Sequence, residues 1–308
     1  MSEARGVDAV MLVGFGGPTR REEIRPFLDE LLRGRPVPPE RYEEAVKHYD
    51  LIGGRSPYND EAALLARALR EALRREEIQI PVVVGMRTSA PRIEGVLREL
   101  QKSGVRRVFG FVLAAHRCEA SWDRYVAAVD SARAQIGEGA PEVVYPELWH
   151  LHPGFIRALA DRTIDALSAV APADRRAARI LFTAHSVPIA MAGASEYARQ
   201  TTDSARAIAK LIGRDSWTLG WQSRSGNPRD PWLEPDINNI IRKLGGETVV
   251  VVPIGFLCDH VEVLYDLDID TAGVARAAGV TMVRAATVRD HPEFIAMIAQ
   301  MTKELVRP

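Results

Sequence analysis

Eight short, largely apolar runs recur along the chain, each too brief for a typical helix: AVMLVGF (9–15), IPVVVGM (80–86), VFGFVLA (108–114), EVVYP (142–146), ARILFTA (178–184), SWTLGWQ (216–222), TVVVVPIGF (248–256) and TMVRAAT (281–287). Between them lie Ala-, Leu-, Arg- and Glu-rich stretches of helical length, such as NDEAALLARALREALRREE (59–77) and PGFIRALADRTIDALSAV (153–170). A strand that is apolar at consecutive positions must be covered on both faces, and strands that alternate with helices pair in parallel through crossovers. The expected fold is therefore α/β, with two similar Rossmann-like, doubly wound parallel sheets. Four strands precede YPELWHLHPG and four follow it, which predicts an N-terminal domain over 1–148 and a C-terminal domain over 149–289, meeting at a cleft near 146–153. The closing stretch PEFIAMIAQMTKELV, within 290–308, is expected to be a helix packing across the two.

The totals exclude several classes of function. With 40 basic and 41 acidic residues the formal net charge is −1, which leaves no electrostatic footprint for nucleic acid or an anionic membrane. No apolar run approaches the roughly 18 residues of a membrane span. The opening MSEARGVDAV has no signal-peptide core. Two cysteines, Cys118 and Cys258, make neither a disulfide framework nor a spaced metal motif, so a cytoplasmic location is expected.

Ligands of open parallel sheets sit beyond the carboxyl ends of the strands, and chemistry is to be sought there. The first strand runs into LVGFGGPTR, but Gly14, Gly16 and Gly17 do not give G-x-G-x-x-G and no P-loop lysine follows, which disfavours a nucleotide. Close backbone approach to a flat or bulky ligand fits these glycines instead. The fifth strand ends in FTAHSVP, placing His185 and Ser186 at a strand end, without the G-x-S-x-G elbow of a serine hydrolase. A lone histidine there is more often structural than catalytic.

The seventh strand runs into CDHVEVLYDLDID (258–270), which carries five carboxylates in its last twelve residues. A helix beginning near Asp259 puts Glu262, Asp266 and Asp270 at i, i+4 and i+8, one stripe spanning about 12 Å. Most of the remaining perimeter is apolar: Val261, Val263, Leu264, Tyr265, Leu267 and Ile269. A solvated acidic face is the ordinary alternative. Because the stretch follows a buried strand and is greasy on its other sides, the stripe is expected to line a cleft. Hard oxygen ligands in a row suit passage of a divalent cation or removal of protons.

Taken together, FTAHSVP, GWQSRSGNPRDPWLEPDI and VVPIGFLCDHVEVLYDLD resemble the ferrochelatase family in its short, soluble, Gram-positive-type form. The agreement continues in LRGRPVPP, YDLIGGRSPYN, GMR (85–87) and LAAH…SWDRY (113–125), in order and over nearly the whole chain. The resemblance implies a class II chelatase-like pair of domains that hold a porphyrin in the cleft between them. It implies Fe²⁺ and coproporphyrin III as substrates, with protoporphyrin IX as the alternative porphyrin. His185 is then the proton acceptor or metal ligand facing the ring nitrogens, with Glu262 opposite it. Asp266 and Asp270 extend the metal or proton path. Porphyrin contacts are implied at Phe15, Arg33, His48, Tyr49, Arg55, Ser56, Tyr125 and Trp221, with Arg35 near them in sequence. No cofactor is required, an iron–sulfur cluster is not expected from two cysteines, and contact with neighbouring haem-pathway enzymes would be transient.

Three positions depart from the family's short form. Phe15 stands where a tyrosine usually offers a phenol to the product iron, so that ligand is expected to be missing. Leu32 and His48 stand where arginines are usual, and their propionate contacts are expected to be lost or taken over by Arg33 and Arg55. Two rival functions share the same residues: a chelatase for another tetrapyrrole and metal, such as cobalt into sirohydrochlorin, and a non-catalytic porphyrin or haem carrier. The paired WQS…PWLEPD and DHVEVLYD motifs speak against the first. The acidic row, which a carrier does not need, speaks against the second.

Overall fold

The structure is a computed structural model, and it describes residues 6–34, 37–225 and 230–306. The first eight-element stretch runs β1 (Ala9–Gly14), α1 (Ile24–Leu31), α2 (Pro39–Leu51), α3 (Tyr58–Arg75), β2 (Val82–Met86), α4 (Ile93–Lys102), β3 (Arg107–Val112) and α5 (Arg124–Ile136), and β4 (Glu142–Val144) closes it. There follow α6 (Pro153–Ala169), β5 (Arg179–His185), α7 (Ile189–Gly193), α8 (Tyr197–Leu211), β6 (Thr218–Gln222), α9 (Ile237–Ile241), β7 (Thr248–Pro253), α10 (Val261–Leu264), α11 (Ala272–Ala277), β8 (Thr281–Arg284) and α12 (Pro292–Val306). Among the described residues each apolar run of the sequence overlaps one strand, and the pairings between these strands are all parallel.

The two four-stranded sheets repeat one topology. Their orders are β2-β1-β3-β4 and β6-β5-β7-β8. In each, the chain leaves the first strand toward one edge and later returns to build the other. The loops after the two central strands therefore run in opposite directions and leave a crevice at their carboxyl ends. In the second sheet those strands are β5 and β7, which end at His185 and Pro253. Burial explains why they are central: residues 180–184 of β5 and 249–253 of β7 are buried without interruption. Leu181, Val249 and Val251 pack with Ile237, Ile241, Val263, Leu267, Ala275 and Val280 in one cluster.

The chain divides into two compact units. One comprises the chain up to Leu113, Ala120–Trp149 and the chain from Arg289; the other comprises Ala114–Glu119 and His150–Val288. The short piece 114–119 joins the second unit through His116 Nε2, 3.0 Å from Ser204 Oγ, and through Arg117 N–H, which donates to Gln200 Oε1 at 2.9 Å. The last helix belongs to the first unit. Leu305 O accepts from Val7 N–H at 3.0 Å, and Phe294 joins Phe111 and Trp149 in a ring cluster. Among the described residues no helix is long and apolar enough to cross a membrane.

One close approach sets the mouth of the second crevice. Gly255, just beyond β7, lies against β5 so tightly that a Cβ there would sit 2.6 Å from Ala184 Cβ and 2.9 Å from Ala184 Cα. Neither atom can turn away as a flexible side chain would. Gly255→Ala is expected to lower stability by about 1–3 kcal/mol, the usual range for overpacking. A urea titration checks it: the midpoint should fall with the slope unchanged.

Candidate active site

His185 is the last residue of β5. Its carbonyl accepts from Tyr197 Oη at 2.9 Å, and its Nδ1 is hydrogen-bonded to Ser186 O. A carbonyl only accepts, so the proton sits on Nδ1 and Nε2 faces the other way. It faces Glu262, with Oε1 at 3.3 Å. Glu262 is the second residue of α10, and the cap of that helix is His260, whose Nδ1 accepts from Glu262 N–H at 3.1 Å. That contact requires a bare Nδ1. Burial lowers the pKa of His260 against the pull of Glu262 and Asp259, which keeps the capping imidazole neutral.

The charges of the pair are coupled. Burial acts against the cation of His185, but the charge of Glu262 and its hydrogen bond prevail, and the imidazole pKa rises above its ordinary value of 6.5. Burial acts against the Glu262 carboxylate, and the charge and hydrogen bond of His185 again prevail, lowering its pKa from 4.5. The side chains are 25% and 38% exposed, so an ion pair is present and still open on one side.

The acidic stretch departs from the expected regular helix. It opens as the single turn α10 and continues as a π-helical turn, Asp266–Thr271, before α11 resumes. Asp270 N–H donates to Tyr265 O at 2.9 Å, five residues back, so the turn is wider than an α-helical one. Val263 and Leu267 are the residues that drop into the core cluster, and the carboxylates fan out to separate partners. Asp266 accepts from Ser223 Oγ, Asp270 from Asn238 Nδ2 at 2.7 Å, and Asp268 from Arg284 at 2.6 and 2.9 Å. The row is thus an anchored series rather than one bare stripe. Burial raises the Asp266 carboxyl to about 7, against the Ser223 hydrogen bond and with the help of the Glu262 charge, so it exchanges a proton near neutrality. Trp221 is buried, with its ring 5.8 Å from that of Tyr197.

The remaining candidates lie in the first unit. Phe15 follows β1; its ring meets Phe27 edge-on at 6.2 Å, and Phe27 meets Tyr49 at 6.0 Å. The Arg87 guanidinium stands 4.9 Å from the Phe15 ring centre and 5.8 Å from that of Tyr125. Ser56 is buried behind the glycine loop, where a Cβ on Gly17 would lie 2.7 Å from Ser56 Cβ. Gly16 is left-handed, at φ +88°. The close approach read from these glycines is made to the protein's own side chains. Arg55 is exposed and paired with Asp60 at 2.5 Å, Arg33 is exposed after α1, and His48 on α2 has Nε2 4.0 Å from Glu44. Arg35 lies outside the described residues. Cys118 and Cys258 are buried thiols.

A sequence model of the ferrochelatase family matches residues 7–306. The chain belongs to the ferrochelatase family. Its reaction is accordingly the insertion of iron into a porphyrin. It is 38% identical over 308 residues to a ferrochelatase of Rhodopirellula baltica, covering 99% of this chain and 88% of that one. It is 41% identical over 304 residues to a coproporphyrin III ferrochelatase of Mycobacterium avium, covering 97% and 88%. In fold it is similar to SirB from Bacillus subtilis with Fe³⁺, at a TM-score of 0.61 and 13% identity over 97% of this chain and 95% of that one.

Sequence reasoning gives Gln222 only a place in the core or cleft wall and no role to Ser223 and Asn238, the other polar residues that hold this ferrochelatase's acids in place. The strand-end rule pointed to the first two, since β6 ends at Gln222, but a glutamine and a serine carry no signal by themselves. Arg87 was quoted within GMR and given no role, and its position over Phe15 emerges only from the fold.

The ion pair predicts a pH dependence of folding. A raised histidine pKa adds stability that is complete below 6.5 and is lost as pH rises through the folded value; a lowered glutamate pKa adds stability that is complete above 4.5 and is lost as pH falls. The stability difference between the parent and Glu262→Gln should therefore be greatest between pH 4.5 and 6.5 and shrink on either side. Chemical denaturation across pH 4 to 10 measures it, and a difference that grows on the alkaline side contradicts the pairing.

Proposed function

We propose that this ferrochelatase inserts Fe²⁺ into coproporphyrin III in the cytoplasm, and that His185 and Glu262 form the locus where metal charge replaces proton charge. The observation that carries the reading is the 3.3 Å contact of His185 Nε2 with Glu262 Oε1 at the carboxyl end of a central strand. Insertion brings in two positive charges and releases two pyrrole protons, so the net charge of the complex is conserved. A site suited to that exchange holds a proton it can surrender and an anion that tolerates either partner. The resting pair has both. As the dication approaches, Coulomb repulsion disfavours the His185 cation; Nε2 sheds its proton and becomes a base for a pyrrole N–H or a ligand for iron. Glu262 stays anionic throughout because its pKa is held low. Asp266, poised near neutrality, takes the departing proton onward, and Asp270 extends the path.

No resident cofactor enters this scheme; iron is substrate, and the residues supply position, charge and partial desolvation. Coproporphyrin III is favoured over protoporphyrin IX because it carries four propionates, and the relatives at about 40% identity include enzymes named for it. Tyr49, Ser56, Tyr125, Arg33 and Arg55 are the donors proposed for those carboxylates, with Arg favoured by its planar fork of N–H groups.

Two expected outcomes test the proposal. His185→Ala and Glu262→Gln should each lower the rate of iron insertion by at least about 10²-fold, the scale of a positioned acid–base group, while porphyrin binding followed by fluorescence quenching survives. Wild-type turnover in either variant removes that residue from the mechanism. With the parent enzyme, kcat/KM should be higher for coproporphyrin III than for protoporphyrin IX; the reverse order assigns the substrate to the two-propionate porphyrin.

A further inference from the structure

Gln222 is buried beside the acid–base site and bonded to the backbone on both sides of it, at Ser186 and Glu262. It is the last residue of β6, it is 2% exposed, and its backbone pairs with His185 across the sheet. Its carbonyl accepts from Ser186 N–H at 2.7 Å, which fixes the turn by which the chain leaves His185. Its side chain spans in the other direction. Nε2 donates to Glu262 O and, at 3.3 Å, to Ser223 Oγ; Oε1 accepts from Thr183 Oγ1 at 3.0 Å.

The orientation of this amide is determined by chemistry. The Glu262 carbonyl can only accept, so the nitrogen must face it, and the oxygen must then face Thr183. Thr183 is fully buried on β5, two residues before His185, and its hydroxyl supplies the required proton. Beyond Nε2, the Ser223 hydroxyl donates in turn to Asp266 Oδ2. The order of donors is thus fixed from β5 through Gln222 to both acids: Thr183 to Gln222, Gln222 to the Glu262 backbone, and Gln222 through Ser223 to the Asp266 carboxylate. Ser223 holds a left-handed backbone at φ 61°, which a serine adopts reluctantly and which this hydrogen bonding helps to retain.

We propose that Gln222 is a positioning residue for iron insertion: by bridging the end of β5 to the first turn of α10, it sets the His185–Glu262 separation and the aim of Asp266. The inference rests on the reading that His185 and Glu262 carry the insertion step. Apart from the His185–Glu262 contact itself and the packing of Val263 on Leu181, the amide gives α10 its hydrogen-bonded tie to the strand that bears His185, because capping by His260 fixes only the first turn of the helix. A buried polar chain of this kind is also costly to interrupt, because each member leaves the next one unsatisfied.

The test uses Gln222→Met, which keeps length and removes both polar atoms, and Gln222→Glu, which sets an oxygen against the Glu262 carbonyl. Thr183→Val and Thr183→Ser form a second pair, since only serine keeps the orienting hydroxyl. Steady-state iron insertion, porphyrin KM and the thermal midpoint are read for each. Folded Gln222→Met, Gln222→Glu and Thr183→Val should each lose about 10- to 100-fold in kcat, the range found when outer partners of metal-site residues are removed, with porphyrin KM changed less than about threefold. Thr183→Ser should lie closer to the parent than Thr183→Val. Combined with Glu262→Gln, Gln222→Met should add less than about threefold further loss, because it acts through Glu262. Retention of kcat within threefold in any folded variant of the first three overturns the proposal, and so do losses that multiply fully with Glu262→Gln. If Gln222→Met fails to fold, Thr183→Val decides. Failure of the underlying reading is distinct: Glu262→Gln alone would then turn over at the parent rate.

Discussion

A cation and an anion stand 3.3 Å apart at the carboxyl end of β5, each half-buried and each keeping the other charged against the cost of burial. The surrounding architecture serves that separation. The parallel order β6-β5-β7-β8 puts the end of β5 beside the end of β7, so a histidine from one strand meets a glutamate from the first helix after the other. Gly255 lets the two strand ends close to contact distance. The core cluster around Leu181, Val251, Val263 and Leu267 binds α10 and the wide turn after it to the sheet, while Asp266, Asp268 and Asp270 of the same segment reach separate polar partners. Removing either charge would strand the other in a partly dry site, which is why the pair is retained as a unit.

The fold was legible because burial on both faces is written directly into the chain. A run such as TVVVVPIGF admits few alternatives to a central strand, and eight of them in two sets of four fix class and topology. His185 and Glu262 stand out in the sequence through long motifs at strand ends, and the structure brings their side chains to 3.3 Å. What periodicity could not show was the π turn. A wide turn arises when packing of Val263 and Leu267 and the side-chain ties of Asp266, Asp268 and Asp270 outweigh regular hydrogen bonding, and none of these partners is near in sequence. Spacing by i, i+4 and i+8 therefore predicted a regular stripe that the structure does not form. The same holds for Gln222, whose importance lies in four bonds to residues 36 to 40 positions away or adjacent to it.

The first unit tells a parallel story at the end of β1. Phe15 donates its backbone N–H to Tyr58 Oη at 3.1 Å, and its carbonyl accepts from Thr88 N–H at 2.9 Å. Its ring is held between Phe27 and the Arg87 guanidinium. The position is as firmly built as one bearing a phenol would need to be, yet it offers iron no oxygen. Arg87 instead brings a positive charge to the ring faces of Phe15 and Tyr125.

The measurement that bears most directly on the account is the titration of the His185 imidazole in the metal-free enzyme by nitrogen-15 NMR, with His185→Ala used for assignment. The His185 imidazole is expected to remain protonated above its ordinary value of 6.5, with Nδ1 carrying the proton in the neutral form. Glu262→Gln is expected to return the titration to lower pH. A His185 that titrates below 6.5 in the parent enzyme, or that is unmoved by Glu262→Gln, would contradict a charge-exchange site built on this pair.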